Sequence, residues 1–184
     1  MSKPFPAEAR AEESVEVDQS AGDPGAVSVA RGLVVDALSR TERTRGQLAQ
    51  MLARKGVEPE VAEQVLDRFT EVGLIDDAGY ARMFVESRHT GRGLGSRALT
   101  FELRRRGVDD ELIADAVGQL DDEQQFETAL RITESRLARM SNLDETVQMR
   151  RLAGFLARKG YSGEIAMRAI RTAFENRAAE DWEN

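Results

Sequence analysis

Three times along this chain a leucine is followed, four positions later, by a glycine that has a basic residue before it and an apolar residue after it. The copies are Leu52-Ala53-Arg54-Lys55-Gly56-Val57, Leu103-Arg104-Arg105-Arg106-Gly107-Val108 and Leu156-Ala157-Arg158-Lys159-Gly160-Tyr161. A glycine just past a helix end takes the left-handed conformation without a Cβ penalty. If each glycine is the first residue beyond its helix, the leucine and the apolar residue are the pair that meet in a Schellman closure. The basic residues then sit at the helix C-terminus, where the dipole favours cations. The glycines are 107 − 56 = 51 and 160 − 107 = 53 residues apart.

The likeness extends beyond the stop. Leu48, Leu99 and Leu152 precede the three glycines by eight residues, and Val61, Leu112 and Ile165 follow them by five. One helical unit of about fifty residues, used three times, is the structure this periodicity requires. The expected fold is all-α, an elongated curved array of three tandem three-helix repeats, about nine helices with no sheet. Repeat 1 is expected over 29–75, repeat 2 over 76–120 and repeat 3 over 121–176. Residues 177–184 are expected to fray. Residues 1–28 hold three of the four prolines and carry 2 basic against 6 acidic residues, so a disordered acidic tail is expected there.

Local patterns place the helices. Thr44-x-x-Gln47 forms a capping box ahead of the second helix. Asp76 or Asp77 caps the fourth. Along that helix Tyr80, Ala81, Phe84, Val85 and Arg88 fall on one face. A loop from His89 to Gly95 is expected to follow, with Ser96 capping the fifth helix. The seventh helix is expected from Asp122 to Met140, the eighth to end at Lys159, and the ninth to begin at Ser162.

Composition excludes several kinds of chemistry. There is no cysteine, hence no disulfide and no thiolate nucleophile; a reducing cytoplasm suits such a chain. No apolar run reaches the length of a membrane span. The single histidine, His89, lacks metal-ligand spacing and a nucleophile partner, and reads as a solvated loop residue. Asp76-Asp77 and Asp121-Asp122-Glu123 are explained by helix capping more simply than by a divalent cation. Gly91-x-Gly93-x-Gly95 lacks the Gly-Lys-Ser/Thr ending of a phosphate loop and follows a helix. It reads as a flexible connection. No catalytic, metal or cofactor residue is expected.

Charge is where the chain becomes informative. The net charge is −7, yet residues 79–106 carry 7 basic and 2 acidic residues and residues 146–174 carry 6 and 1, each block +5. Such blocks either build a polarised surface for a charged partner or simply solvate different faces. Arg82, Arg88, Arg92, Arg97, Arg104, Arg105 and Arg106 belong to the first block; Arg150, Arg151, Arg158 and Lys159 belong to the second. Three consecutive arginines spread over roughly 200° of helix, so one intrahelical pair cannot use them all. The surplus points to an acidic partner, either phosphate or protein.

The residues that carry this pattern resemble the RecX family. They are Gly73-Leu74-Ile75-Asp76-Asp77, then Tyr80-Ala81, Phe84-Val85, Arg88, Gly93, Gly95 and Glu102-Leu103-Arg104-x-Arg106-Gly107-Val108. The segment from Arg151 to Ser162 is similar to that family's last repeat. The resemblance runs from about Val29 to Phe174. In the first unit Arg43-Thr44-Arg45-Gly46-Gln47-Leu48 stands where the family commonly has Arg-Ser-x-x-Glu-Leu. The resemblance implies a cytoplasmic, monomeric, non-enzymatic regulator of the RecA recombinase. It implies binding along the groove of the RecA–DNA filament, with single- or double-stranded DNA there as a further contact. Extension would be blocked or disassembly promoted. Two other readings fit the helices: a helix-turn-helix regulator that binds DNA directly, and a general protein-interaction scaffold.

Overall fold

The computed structural model describes residues 23–183, and side-chain surroundings through residue 179. Among these residues there are nine α-helices and no strand: α1 Pro24–Arg40, α2 Arg45–Arg54, α3 Pro59–Glu71, α4 Asp77–Arg92, α5 Ser96–Arg104, α6 Asp110–Gly118, α7 Asp122–Leu137, α8 Glu145–Lys159 and α9 Gly163–Glu183. A short 3-10 turn, Ala138–Met140, follows α7. The all-α array of three-helix units therefore stands.

Each unit buries its own core. Val34, Leu48, Leu52, Val65 and Leu66 close the first; Val85, Leu99, Leu103 and Ile113 the second; Ala129, Leu152, Leu156, Tyr161 and Ile170 the third. At 0% exposure, each of the terminator leucines Leu52, Leu103 and Leu156 contributes about 1.5–3 kcal/mol of burial. Truncation to alanine would cost about 2–5 kcal/mol.

All three stops close as the sequence requires. Gly56, Gly107 and Gly160 have φ of 76°, 73° and 89°. The N–H groups of Val57, Val108 and Tyr161 donate to the carbonyls of Leu52, Leu103 and Leu156 at 3.1, 3.3 and 3.2 Å. The glycine N–H groups donate one residue further on, to Ala53, Arg104 and Ala157.

Several local expectations are corrected. Of the expected tail, residues 1–22 lie outside the described residues, while α1 already begins at Pro24, capped by the Asp23 side chain on the Gly25 N–H. Proline in the first turn is pre-set for helix, which the apolar pattern alone did not reveal. At the C-terminus α9 runs on through Glu183, across most of the segment 177–184. The expected loop from His89 is helical as far as Arg92. Gly93, at φ 60°, is the actual stop, and His89 is buried at 6% exposure. Its Nδ1 reaches the Leu94 carbonyl at 2.8 Å. The seventh α-helix ends at Leu137 and tightens into the 3-10 turn. Ser96 caps nothing; Gly95 holds the cap position of α5.

The units join by one device used twice. The C-terminus of α5 meets the N-terminus of α2, and the C-terminus of α8 meets the N-terminus of α5. At the first junction the Thr44 hydroxyl donates to the Arg106 carbonyl, and the Arg45 N–H donates to Asp77 Oδ1 at 2.8 Å. At the second the Gly95 N–H donates to the Lys159 carbonyl at 2.8 Å, and the Arg97 N–H to the Gly160 carbonyl at 3.1 Å. The Ser96 N–H donates to Gln125 Oε1 at 3.2 Å. At the second junction free N–H groups of one helix thus satisfy free carbonyls of another; at the first a hydroxyl satisfies the carbonyl and a carboxylate satisfies the N–H.

Candidate partner-binding surface

The arginines of the first basic block divide by what they touch. Tyr80 and Phe84 stack along α4 with ring centroids 6.1 Å apart. The guanidinium of Arg88 lies 5.2 Å from the Phe84 ring and that of Arg106 lies 4.4 Å from it. Arg106 also donates to the Glu102 carbonyl at 2.8 Å, and its side chain keeps only 25% exposure. These two cations clamp an aromatic stripe, an interaction worth about 0.5–2 kcal/mol each. Arg104 pairs with Asp110 at 2.6 Å, across the turn that follows its own helix. The triplet 104–106 is therefore split. Arg105, set 5.8 Å from the exposed Phe101 ring, faces solvent.

Arg82, Arg92 and Arg97 are exposed as well. Arg82 edges a cleft of about 600 Å³ that also takes in Met83, Glu86, His89, Gln124 and Glu127. Its carboxylates give that cleft mixed charge. Asp76 caps α4 through the Gly79 N–H at 2.8 Å. Its neighbour Asp77 instead serves the junction to α2. Burial pushes the Asp77 carboxyl above the usual aspartate range, opposed by the hydrogen bond and charge of Arg45.

The second block behaves differently. Arg150, Arg151 and Arg158 are exposed on α8 and share a cleft of about 530 Å³ with Arg136, Arg139, Met140 and Gly154. No carboxylate lines it. Among the described residues none of the five arginines makes an ion pair. Arg136 lies 4.4 Å from the Phe155 ring. Lys159 is half-buried and belongs to the junction: its Nζ donates to the Arg92 carbonyl and lies 5.7 Å from the same Phe155 ring. Arg136 and Arg139 escaped the sequence reading because they fall in residues 107–145, where 3 basic residues are outnumbered by 11 acidic ones. Summing charge over a block hides cations that the end of α7 turns toward the next helix.

Among the described residues no group of three or more His, Asp or Glu side chains could hold a metal ion, and no helix is long and apolar enough to cross a membrane. What the geometry offers is a charged surface on a repeat scaffold.

Three family models match in chain order: the first three-helix domain of RecX at residues 30–69, the second at 76–117 and the third at 122–170. The chain belongs to the RecX family. It is 49% identical over 158 residues to the regulatory protein RecX of Streptomyces coelicolor, covering 86% of this chain and 84% of that one. It is 46% identical over 151 residues to the regulatory protein RecX of Thermobifida fusca, covering 82% of each. A crystal structure of RecX from Lactobacillus salivarius superposes with a TM-score of 0.76 over 81% of this chain and 97% of that one, at 21% identity. A second RecX crystal structure gives 0.72 at 25% identity, covering 80% and 72%. At that identity the structures speak to the fold, and the curated relatives speak to the family. Those relatives are named as regulatory proteins, and the expected class of function, a RecX-type regulator, agrees with them.

Proposed function

We propose that this protein restrains the RecA recombinase by binding the RecA–DNA filament. Its repeats lie along the filament groove and touch several protomers at once. Affinity then comes from many modest contacts in series rather than from one deep pocket. Occupying the groove blocks extension or favours disassembly, so RecA ATPase, coprotease and strand-exchange activities fall. The protein acts in the cytoplasm, as a monomer, and performs no chemistry of its own.

The observation that supports this reading is the set of exposed arginines left without acidic partners on repeats 2 and 3 in a chain of net charge −7. A family of regulators built on that scaffold gives those cations a partner. The test is RecA ATPase on single-stranded DNA, titrated with this protein. Hydrolysis should fall with dose. In the Arg82→Glu/Arg97→Glu/Arg105→Glu variant the inhibition should weaken about tenfold or more, since each reversed contact is worth about 1 kcal/mol. Arg104 and Arg106 are left intact because both serve repeat 2 itself. A recombinase indifferent to a molar excess of the wild-type chain would end the proposal.

A further inference from the structure

We infer that the Lys3-Pro4-Phe5-Pro6 stretch of this chain docks in the cleft between repeats 1 and 2, with the Phe5 ring as its anchor. This goes beyond the filament reading, since it concerns the free protein and calls on no partner.

The cleft holds about 340 Å³. Leu38 near the end of α1, Leu74 in the connection between α3 and α4, and Tyr80 and Met83 on α4 form its apolar walls. Among the described residues nothing covers them. Leu74 and Met83 keep 60% and 49% of their surface exposed, and neither joins a core. Large apolar side chains gathered around one cleft mark a docking surface, unlike the same residues scattered singly.

The polar edge says what fits. Arg43 lines the cleft with its Nε buried and without an acceptor among the described residues. A main-chain carbonyl brought to that N–H would restore the missing bond. The other charged residues of the lining are Glu42 and Asp76. Asp76 already accepts from the Gly79 N–H. Glu42 makes no ion pair among the described residues. One cation against two carboxylates leaves the lining at 1 − 2 = −1. An acidic occupant is repelled there; an apolar one that carries a cation is attracted.

Residues 1–22 precede the described ones. Their acids begin only at Glu8, and ahead of these stand Lys3, Pro4, Phe5 and Pro6. Phe5 is the one aromatic residue among the 22, and a ring of that kind buries about 150–250 Å². Proline has a fixed φ and no N–H, so a Pro-Phe-Pro segment loses little freedom on docking and its carbonyls are free to accept. Its ring beside Arg43 gains a cation–π contact, and Lys3, two residues earlier, meets Glu42.

Reach permits it. Pro24 opens α1, and Leu38 lies 38 − 24 = 14 residues along it, about 21 Å away. From Phe5 to Pro24 the chain is 24 − 5 = 19 residues long. A coil of that length averages roughly 22–26 Å between its ends. A tether whose length matches the span gives its ligand the highest local concentration.

The experiment uses the full chain with isotope-labelled methionine methyl groups, read by NMR. The ring current of Phe5 displaces the Met83 signal, which Met83→Leu identifies. Phe5→Ala should therefore move that signal and leave those of Met149 and Met167 in place. A fluorescent peptide of residues 1–10 is then added in trans. It should bind the Phe5→Ala chain about tenfold more tightly than wild type, where the tethered copy competes. The Phe5→Ala/Leu74→Asp chain should lose that gain, with unchanged circular dichroism. A Met83 signal that Phe5→Ala leaves unmoved would overturn the inference and leave the cleft to another protein. A displacement that fades on dilution would overturn it too, since a second copy would then be the occupant. So would a peptide that binds wild type and Phe5→Ala alike, or neither.

Discussion

The two junctions between repeats are the same joint built from different parts. In each, the N-terminal end of a second-position helix meets the C-terminal end of its counterpart in the next repeat. Arg106 and Lys159 occupy equivalent places 53 residues apart, and their carbonyls are the acceptors. Thr44 and Gly95 are equivalent too, 51 residues apart. Yet Thr44 reaches across with its hydroxyl, whereas Gly95 uses its backbone. At the following position Arg45 donates to a carboxylate, Asp77, and Ser96 to a neutral amide, Gln125. Close approach is what both share. A Cβ on Gly46 would lie 2.7 Å from the Gly107 Cα, and a Cβ on Gly160 would lie 2.3 Å from the Ala98 nitrogen. The geometry of the joint is fixed by backbone meeting backbone; the side chains that satisfy it can vary.

The first terminator shows what the joint adds. Gly56 has the same closure, but a Cβ there meets nothing within 4 Å, because no repeat precedes the first. Gly160→Ala should therefore have the largest effect, about 3 kcal/mol or more, the left-handed penalty plus a backbone collision. Gly56→Ala should lose only the conformational part, about 1–2 kcal/mol. Gly46→Ala separates the two causes: its φ is helical, so an open site would gain about 1 kcal/mol, whereas the contact with Gly107 should turn this into a loss. Urea denaturation measures all three. Equal losses at positions 56 and 160 would mean that docking contributes nothing.

A middle-sized effect is expected at the apolar place of the third terminator. Val57 and Val108 are replaced there by Tyr161, which is 2% exposed with a hydroxyl that finds no partner. Tyr161→Phe should stabilise the fold by about 1 kcal/mol. Burial also pushes the phenol from 10.0 up to about 12. The folded state thus holds this proton more tightly than the unfolded one, and stability falls as pH rises from 10.0 toward 12. The phenylalanine variant should lack that part of the alkaline decline in thermal melts.

The smallest effect distinguishes the two acceptors. Asp77 has its carboxyl raised above 3.8, chiefly by burial. A raised value means that the folded state favours the proton, so the group contributes less stability as pH rises through its folded value, and the deficit persists at neutral pH. Asp77→Asn keeps an acceptor for Arg45 and should be slightly more stable at pH 7, with a flatter acid limb. Gln125→Glu should import the same slope into the second junction. Melting curves from pH 3 to 7 that are identical for both variants and wild type would erase the distinction.

Much of this molecule was legible residue by residue. The leucine-to-glycine spacing gave the three stops, because a Schellman closure involves six consecutive residues and nothing else. The Thr44–Gln47 box formed as written, with the Gln47 N–H on Thr44 Oγ at 3.1 Å and the Thr44 N–H on Gln47 Oε1 at 3.2 Å. The bond from the Thr44 hydroxyl to the Arg106 carbonyl was not legible, since that partner is 62 residues away. His89 read as a loop residue because Gly91 looked like a break; a single glycine costs a helix only about 1 kcal/mol, which the buried face of α4 outweighs. Gly46, at a position the sequence reading left open, has its reason in Gly107, a contact no local pattern announces.

By itself the sequence determined the units: how many there are, where α2, α5 and α8 stop, and most of the residues that face inward, since these follow from periodicity and from what glycine and capping side chains do to nearby backbone. Only the tertiary structure decided which cations remain free. Arg88 and Arg106 are taken up by one phenylalanine and Arg104 by Asp110, while Arg136 and Arg139 join three arginines of α8. Charge along a chain is a sum, whereas charge on a surface depends on which neighbours the fold brings within a few ångströms.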